Sequence, residues 1–190
     1  NNSSMVTTVN YSSYSWMINA EGKTNFAPFM RLINIPEQIY PFVIKKKPEN
    51  TAIVGVGMGK DIAMSLVRGS KNVYGAEFNP TMFDIFKNRF ANLSGNIANL
   101  SNVHVYRAEG RFFIKSSKIK YDVIIFNNAI SIAAANSGAY TLTEGYLYTT
   151  EAIIDYMKRL TDDGVLYLSN PFPDYARFVS IIREAFKRMG

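Results

Sequence analysis

The amino-acid sequence predicts an α/β protein built on a doubly wound, mostly parallel sheet, and three observations carry that prediction. From residue 51 onward, strand-like apolar runs alternate with helical stretches. The first run, "TAIVGV", is apolar at nearly every position, as expected of a strand covered on both faces. It then breaks into Gly55, Gly57 and Gly59 immediately before a helical pattern, where ligands bind in sheets of this kind.

Residues 1–45 read differently and form a small β element plus linker, ahead of an α/β domain over 46–190. "VTTVNYSSYSWMINAEGKTNFAPF" is rich in Val, Thr, Tyr and Trp, so it predicts a hairpin or small antiparallel sheet with "AEGKT" as the turn. "NIPEQIYPFVIKK" reads as a short helix interrupted by proline.

In the second part, "KDIAMSLVRG" places Ile62, Ala63, Leu66 and Val67 at helical spacing and stops at Gly69. "NVYGAEF" is a second strand. In "NPTMFDIFKNRFANL", Asn79 can cap a helix and Pro80 suits its first position. Met82, Ile85, Phe86, Phe90 and Leu93 then form the buried stripe. "NVHVYRA" and "YDVIIFN" are strands three and four. "TEAIIDYMKRL" is a helix ending at "DDG", and "GVLYLSN" is strand five. "DYARFVSIIREAFKRM" is a closing helix with Phe178, Ile181, Ile182, Ala185 and Met189 inward.

Composition narrows the function classes. A chain of 190 residues with 47% hydrophobic content is one packed domain's worth of sequence. Zero cysteines exclude disulfides and thiolate chemistry, and a single histidine excludes a multi-histidine metal site, so no metal is expected. No apolar run reaches the ~18–20 residues needed to span a bilayer, and the chain opens without a signal-peptide pattern. A cytoplasmic location follows as the expectation, with membrane contact only through segments outside this chain. The first residue is not Met, which raises the expectation of a piece of something longer. Net charge is +6, but the bases are scattered and not interleaved with aromatics. That argues for a solvated surface over a nucleic-acid partner.

The chemistry-bearing residues cluster after the strands. Three glycines either make a tight turn or let backbone N–H groups approach a ligand. Glu77 ends the second strand 22 residues after Gly55, where an acid accepts both hydroxyls of a ribose. Together they point to an adenosine-type ligand, and the G-x-G-x-G spacing does not favour NAD. Glu109, followed by Gly110 and Arg111, can accept an adenine amine or simply sit at a helix N-terminus. His104, between Val103 and Val105, reads as a packed or surface strand residue and not a base.

The ordered set "AIVGVGMGKDI", "VYGAEFNP", "VYRAEGRFFI", "YDVIIFNNA", "LYTTEAI" and "LTDDGVLYLSN" resembles the spermidine/spermine synthase family over residues 51–170. More narrowly, "LTEGYLYTTEAIIDYMKRLTDDGVL" is similar to an uncharacterised subgroup, often the soluble part of a longer, membrane-attached chain. The resemblance implies a Rossmann-like fold of the class I S-adenosylmethionine methyltransferase type. It implies S-adenosylmethionine or its decarboxylated form as cofactor, held by Gly55, Val56, Gly57, Met58, Gly59, Glu77, Phe78, Glu109, Gly110 and Asn127. The usual sixth and seventh strands of that fold do not follow the last helix. The chain is then either truncated or completed at its sheet edge by a partner, a homodimer being one form.

Two departures from the family pattern bear on chemistry. Met58 stands where synthases carry an acid inside the glycine loop, and Asn127 and Ile130 stand where they carry two aspartates. Asn127 accepts no proton near neutral pH, and a polyamine cation beside Met58 and Ile130 would be unpaired at a cost of several kcal/mol. Ordinary putrescine aminopropyl transfer is therefore not expected. The loop over 127–150 could act as a lid, with Glu144 as a replacement base and Tyr140, Tyr146 and Tyr148 meeting substrate. It could equally be packed by its own aromatics. Asn127 and Glu144 are the catalytic candidates.

Three functions fit this reading. One is a transferase acting on a small-molecule acceptor such as an amine. Another is a non-catalytic nucleoside-binding or regulatory domain. The third is a nucleic-acid methyltransferase, favoured only by the positive charge.

Overall fold

The computed structural model describes residues 5–9, 13–17, 36–127, 146–169 and 175–190. Strands β1 (Met5–Val9) and β2 (Ser13–Met17) pair antiparallel, Met5 opposite Met17. The pairing ends with Val9 opposite Ser13, upstream of "AEGKT", which lies outside the described residues. Helix α1 (Pro36–Ile44) runs through Pro41 without interruption and places Phe42 in the core.

The rest is one parallel sheet. Its strands are β3 (Asn50–Val54), β4 (Asn72–Glu77), β5 (Val103–Arg107), β6 (Tyr121–Asn127) and β7 (Leu160–Ser169). Their order is β5-β4-β3-β6-β7, and every neighbouring pair is parallel. The chain thus steps outward from β3 to β5, returns to the other side of β3 and continues outward through β6 and β7. That reversal puts a crevice beyond the carboxyl end of β3. The doubly wound expectation holds.

Two apolar layers flank the sheet. On one face, α2 (Lys60–Val67), α3 (Pro80–Asp84) and the turn after α3 pack Ile62, Met64, Met82 and Phe86 against Ile53, Val73 and Val123. On the other, α4 (Gly110–Ser116), α5 (Thr150–Met157) and α6 (Tyr175–Met189) cover Ala52, Val54, Ile124 and Phe126 with Ile114, Ile153, Tyr156 and Ala185. Asn79 caps α3 as its sequence predicts, its Oδ1 accepting from the amides of Thr81 (2.9 Å) and Met82 (3.2 Å).

Three local expectations are corrected. After α3 the chain widens into a π turn over Ile85–Arg89, with the Phe90 amide donating to the Ile85 carbonyl at 2.9 Å. The extra residue rotates Phe90 out of the stripe, leaving it exposed while Phe86 stays buried. Strand β7 begins at Leu160, so "LTDDG" is strand and not the end of a helix; a register shift between Tyr121 and Val123 absorbs the difference. Met189, expected inward on α6, is exposed.

At the amino end of the sheet, away from the crevice, Asp122 acts as a tie. Its Oδ2 accepts from the amides of Glu49 (2.7 Å) and Asn50 (3.0 Å), and its Oδ1 from the Thr161 hydroxyl (3.1 Å). Lys45 lies 3.4 Å away, completing a join between the start of β3, β6 and β7.

Candidate functional site

The turn from β3 into α2 is built by alternation. Gly55, Gly57 and Gly59 all have positive φ (80°, 54° and 85°), a conformation in which side-chain-bearing residues are strained. Val56 and Met58 between them are buried, Met58 to 1% exposure among Phe86, Ile62 and Met64. The apolar side chains anchor the turn from below, Gly55 and Gly57 form its bare upper rim, and Gly59 is buried where α2 begins. Val56 fits because its neighbour on β4 is Gly75, where a Cβ would lie 2.5 Å from the Val56 Cγ2. Gly59 is pressed by the Phe86 ring, which a Cβ there would meet at 2.2 Å.

Glu77, the last residue of β4, braces this rim. Its Oε2 accepts from the Gly57 amide and its Oε1 from the Asn79 amide, both at 2.8 Å. Burial pushes its carboxyl above the ordinary range, against the amides of Gly57, Asn79 and Phe78, which pull it back. Phe78 beside it is 74% exposed, an uncovered ring at the crevice.

On the far side of the rim, Asn127 ends β6, one residue past Phe126, which pairs with Val54. Its Nδ2 donates to both oxygens of Asp61, at 3.1 and 3.2 Å. Asp61 lies in the first turn of α2 and is only 9% exposed. Burial raises its carboxyl above the ordinary range; Asn127 and the charge of Lys60 oppose that. Sequence reading missed Asp61. The signal was its place on a buried helical face with Met64 and Ser65, at i+3 and i+4.

The remaining expected residues sort differently. Glu109 is the N-cap of α4, its oxygens accepting from the amides of Arg111 (2.9 Å) and Phe112 (2.8 Å). Gly110 lets α4 press onto β3, since a Cβ there would be 2.2 Å from the Val54 Cγ1. His104 stacks on Tyr74 at 5.0 Å, a packing role as its sequence position predicts. Tyr148, expected to meet substrate, is a core residue at 2% exposure, its ring edge-on to Phe178 at 5.0 Å. Tyr146 is exposed and lies under the Arg111 guanidinium at 5.4 Å. Ile130, Tyr140 and Glu144 lie outside the described residues. Among the described residues no group of three or more His, Asp or Glu side chains is placed to hold a metal, and no helix is long and apolar enough to cross a membrane.

These features define a class: a doubly wound protein whose glycine rim and strand-end acid sit together at the sheet's switch point. No protein-family model matches the chain. A polyamine aminopropyltransferase of Alkaliphilus metalliredigens (strain QYMF) is 28% identical over 167 residues, 87% of this chain and 52% of that protein. Another, of Alkaliphilus oremlandii (strain OhILAs), is 24% identical over 150 residues, 78% of this chain and 49% of that protein. The chain thus spans about half the length of these relatives.

Among solved structures, spermidine synthase from Thermotoga maritima aligns with TM-score 0.56 and 19% identity, over 92% of this chain and 55% of its own. A spermidine synthase in complex with the transition state analogue AdoDATO aligns at 0.55 and 18%, with the same coverage. The N-methyltransferase NodS from Bradyrhizobium japonicum WM9 aligns at 0.54 and 15%, over 84% and 83%. At such identities the structures speak to the fold, which is that of class I methyltransferases. The likeness to polyamine aminopropyltransferases is carried by the two curated relatives.

Proposed function

We propose that this chain is the adenosyl-binding domain of a spermidine-synthase-like transferase, using S-adenosylmethionine or its decarboxylated form and an amine as acceptor. The observation that carries the reading is the Glu77 brace on Gly57, which holds a carboxylate and bare backbone at one crevice.

The residues present fit such a ligand. Glu77 takes one hydrogen bond on each oxygen, from Gly57 and Asn79, with the Phe78 amide also acting on the group. Each carboxylate oxygen has about two acceptor positions, so each can also accept one ribose hydroxyl. The glycine rim offers a close approach with no Cβ in the way, and the exposed Phe78 ring offers an apolar face to a purine. Glu109 would accept the purine amine with lone pairs left over from capping. The bound sulfonium supplies the electrophilic carbon; this chain's part is to orient it and to exclude water.

A second reading, nucleoside binding without turnover, is favoured by Met58 facing the core and by the neutral Asn127 at the strand end. Turnover separates the two. Incubation of decarboxylated S-adenosylmethionine, or of S-adenosylmethionine, with a panel of amines should release methylthioadenosine or S-adenosylhomocysteine respectively. Release of neither, with nucleoside binding intact, would replace the transferase by the binding domain.

A further inference from the structure

We propose that Asp61, held in place by Asn127, is the carboxylate that receives the ammonium group of an amine-bearing ligand at the reactive end of this crevice. The inference rests on the adenosyl-site reading above and adds to it the group that would read the cation.

Position comes first. Glu77 ends β4 on one side of the glycine rim, whereas Asn127 ends β6 on the other and Asp61 begins the helix that the rim feeds. A nucleoside whose ribose lies on Glu77 therefore extends its sulfur substituents toward the Asp61–Asn127 pair. Met58 points into the core, so the rim itself brings no acid to that end.

Energetics come second. An aspartate in the first turn of a helix can rest in water at almost no cost, yet this one is 91% buried, the complement of its 9% exposure. Its hydrogen-bond partner there is a neutral amide. Burying a carboxylate opposite a neutral group is unfavourable by several kcal/mol unless a cation joins it. The charge of Lys60, next in sequence, favours the ionised carboxylate but does not cancel the effect of its burial. Asn127 uses a single nitrogen for both oxygens, which fixes the plane of the carboxylate and spares its other lone pairs.

Ligand ammonium groups come from two sources, the aminoalkyl chain of the donor nucleoside or the acceptor amine, and titrations tell them apart. Wild type, Asp61→Asn and Asp61→Glu are titrated with decarboxylated S-adenosylmethionine, with methylthioadenosine, which has no ammonium, and with putrescine in saturating methylthioadenosine. If the donor chain is read, Asp61→Asn weakens the decarboxylated ligand about 30-fold or more and methylthioadenosine less than about twofold, and Asp61→Glu recovers part of the loss. If the acceptor is read, the same loss falls on putrescine alone. Should Asp61→Asn not fold, Asn127→Ala reads the same ratios, with a smaller loss in the same direction. Equal effects on ligands with and without ammonium, or none on any, would overturn the proposal and make Asp61 a structural tie. Wild type binding methylthioadenosine but gaining nothing from an ammonium would overturn it while leaving the adenosyl site standing. Failure of wild type to bind any nucleoside would remove both.

Discussion

The Glu77 carboxylate holds the Gly57 amide at 2.8 Å, so the acid that would read a ribose also sets the shape of the glycine rim. Charge and shape should therefore separate in mutants. Glu77→Gln keeps one acceptor and relieves a buried carboxyl whose folded value is raised by burial. At neutral pH the ligand-free protein should lose about 1–2 kcal/mol, because the Gln Nε2 donates and leaves one of the two amides it faces unpaired, while nucleoside affinity falls at least about tenfold. Thermal melts with and without methylthioadenosine check both halves.

Gly59→Ala should damage the fold as well as the site. The residue has φ of 85°, and its added Cβ would meet the buried Phe86 ring. Backbone strain plus overpacking should cost about 2–4 kcal/mol, read as a drop in the denaturant midpoint. Phe86→Leu in the same chain should return part of that loss, because the ring is half of the problem.

Acid titration should show two opposed phases. Burial pushes the Asp122 carboxyl up, but the Asn50 and Glu49 amides, the Thr161 hydroxyl and Lys45 outweigh it and hold the folded value below the ordinary carboxylate range. Its stabilisation is complete above that range and is lost as pH falls through the folded value. Asp61 and Glu77 run the other way. Burial holds their folded values above the ordinary range, so they favour the folded state as pH falls toward that range. Denaturation midpoints should hold or rise on mild acidification and then fall steeply. Asp122→Asn should cost about 2 kcal/mol at neutral pH and flatten only the acid fall.

Two neighbouring tyrosines should behave as different kinds of residue. Tyr148→Ala opens a cavity beside Phe126 and Phe178 and should cost about 3–5 kcal/mol. Tyr146→Ala removes an exposed ring under Arg111 and should cost about 0.5–1 kcal/mol. Equal losses in chemical denaturation would refute this division.

The sheet was legible because its strands announce themselves: "TAIVGV" and "YDVIIFN" are apolar throughout, and Asn79–Pro80 marks a helix start unambiguously. The position of Glu77, at a strand end beside the glycine turn, was legible from spacing. The misses have a common cause, which is that register and packing are long-range. No local pattern says that Phe90 is rotated outward by one extra residue in a turn, or that Leu160 already belongs to a strand. Tyr148 looks like a loop aromatic until α6 closes over it. Asp61 was hidden because an acid in a helix's first turn is ordinary; only its burial against Asn127, 66 residues away, sets it apart.

The most direct test is calorimetric titration of methylthioadenosine into wild type and Glu77→Ala. We expect micromolar binding by wild type and a loss of at least about 100-fold in the mutant, the cost of two hydrogen bonds to a charged acceptor. Wild type that does not bind, or a folded mutant that binds as well, would reduce the glycine rim to a turn and contradict the account.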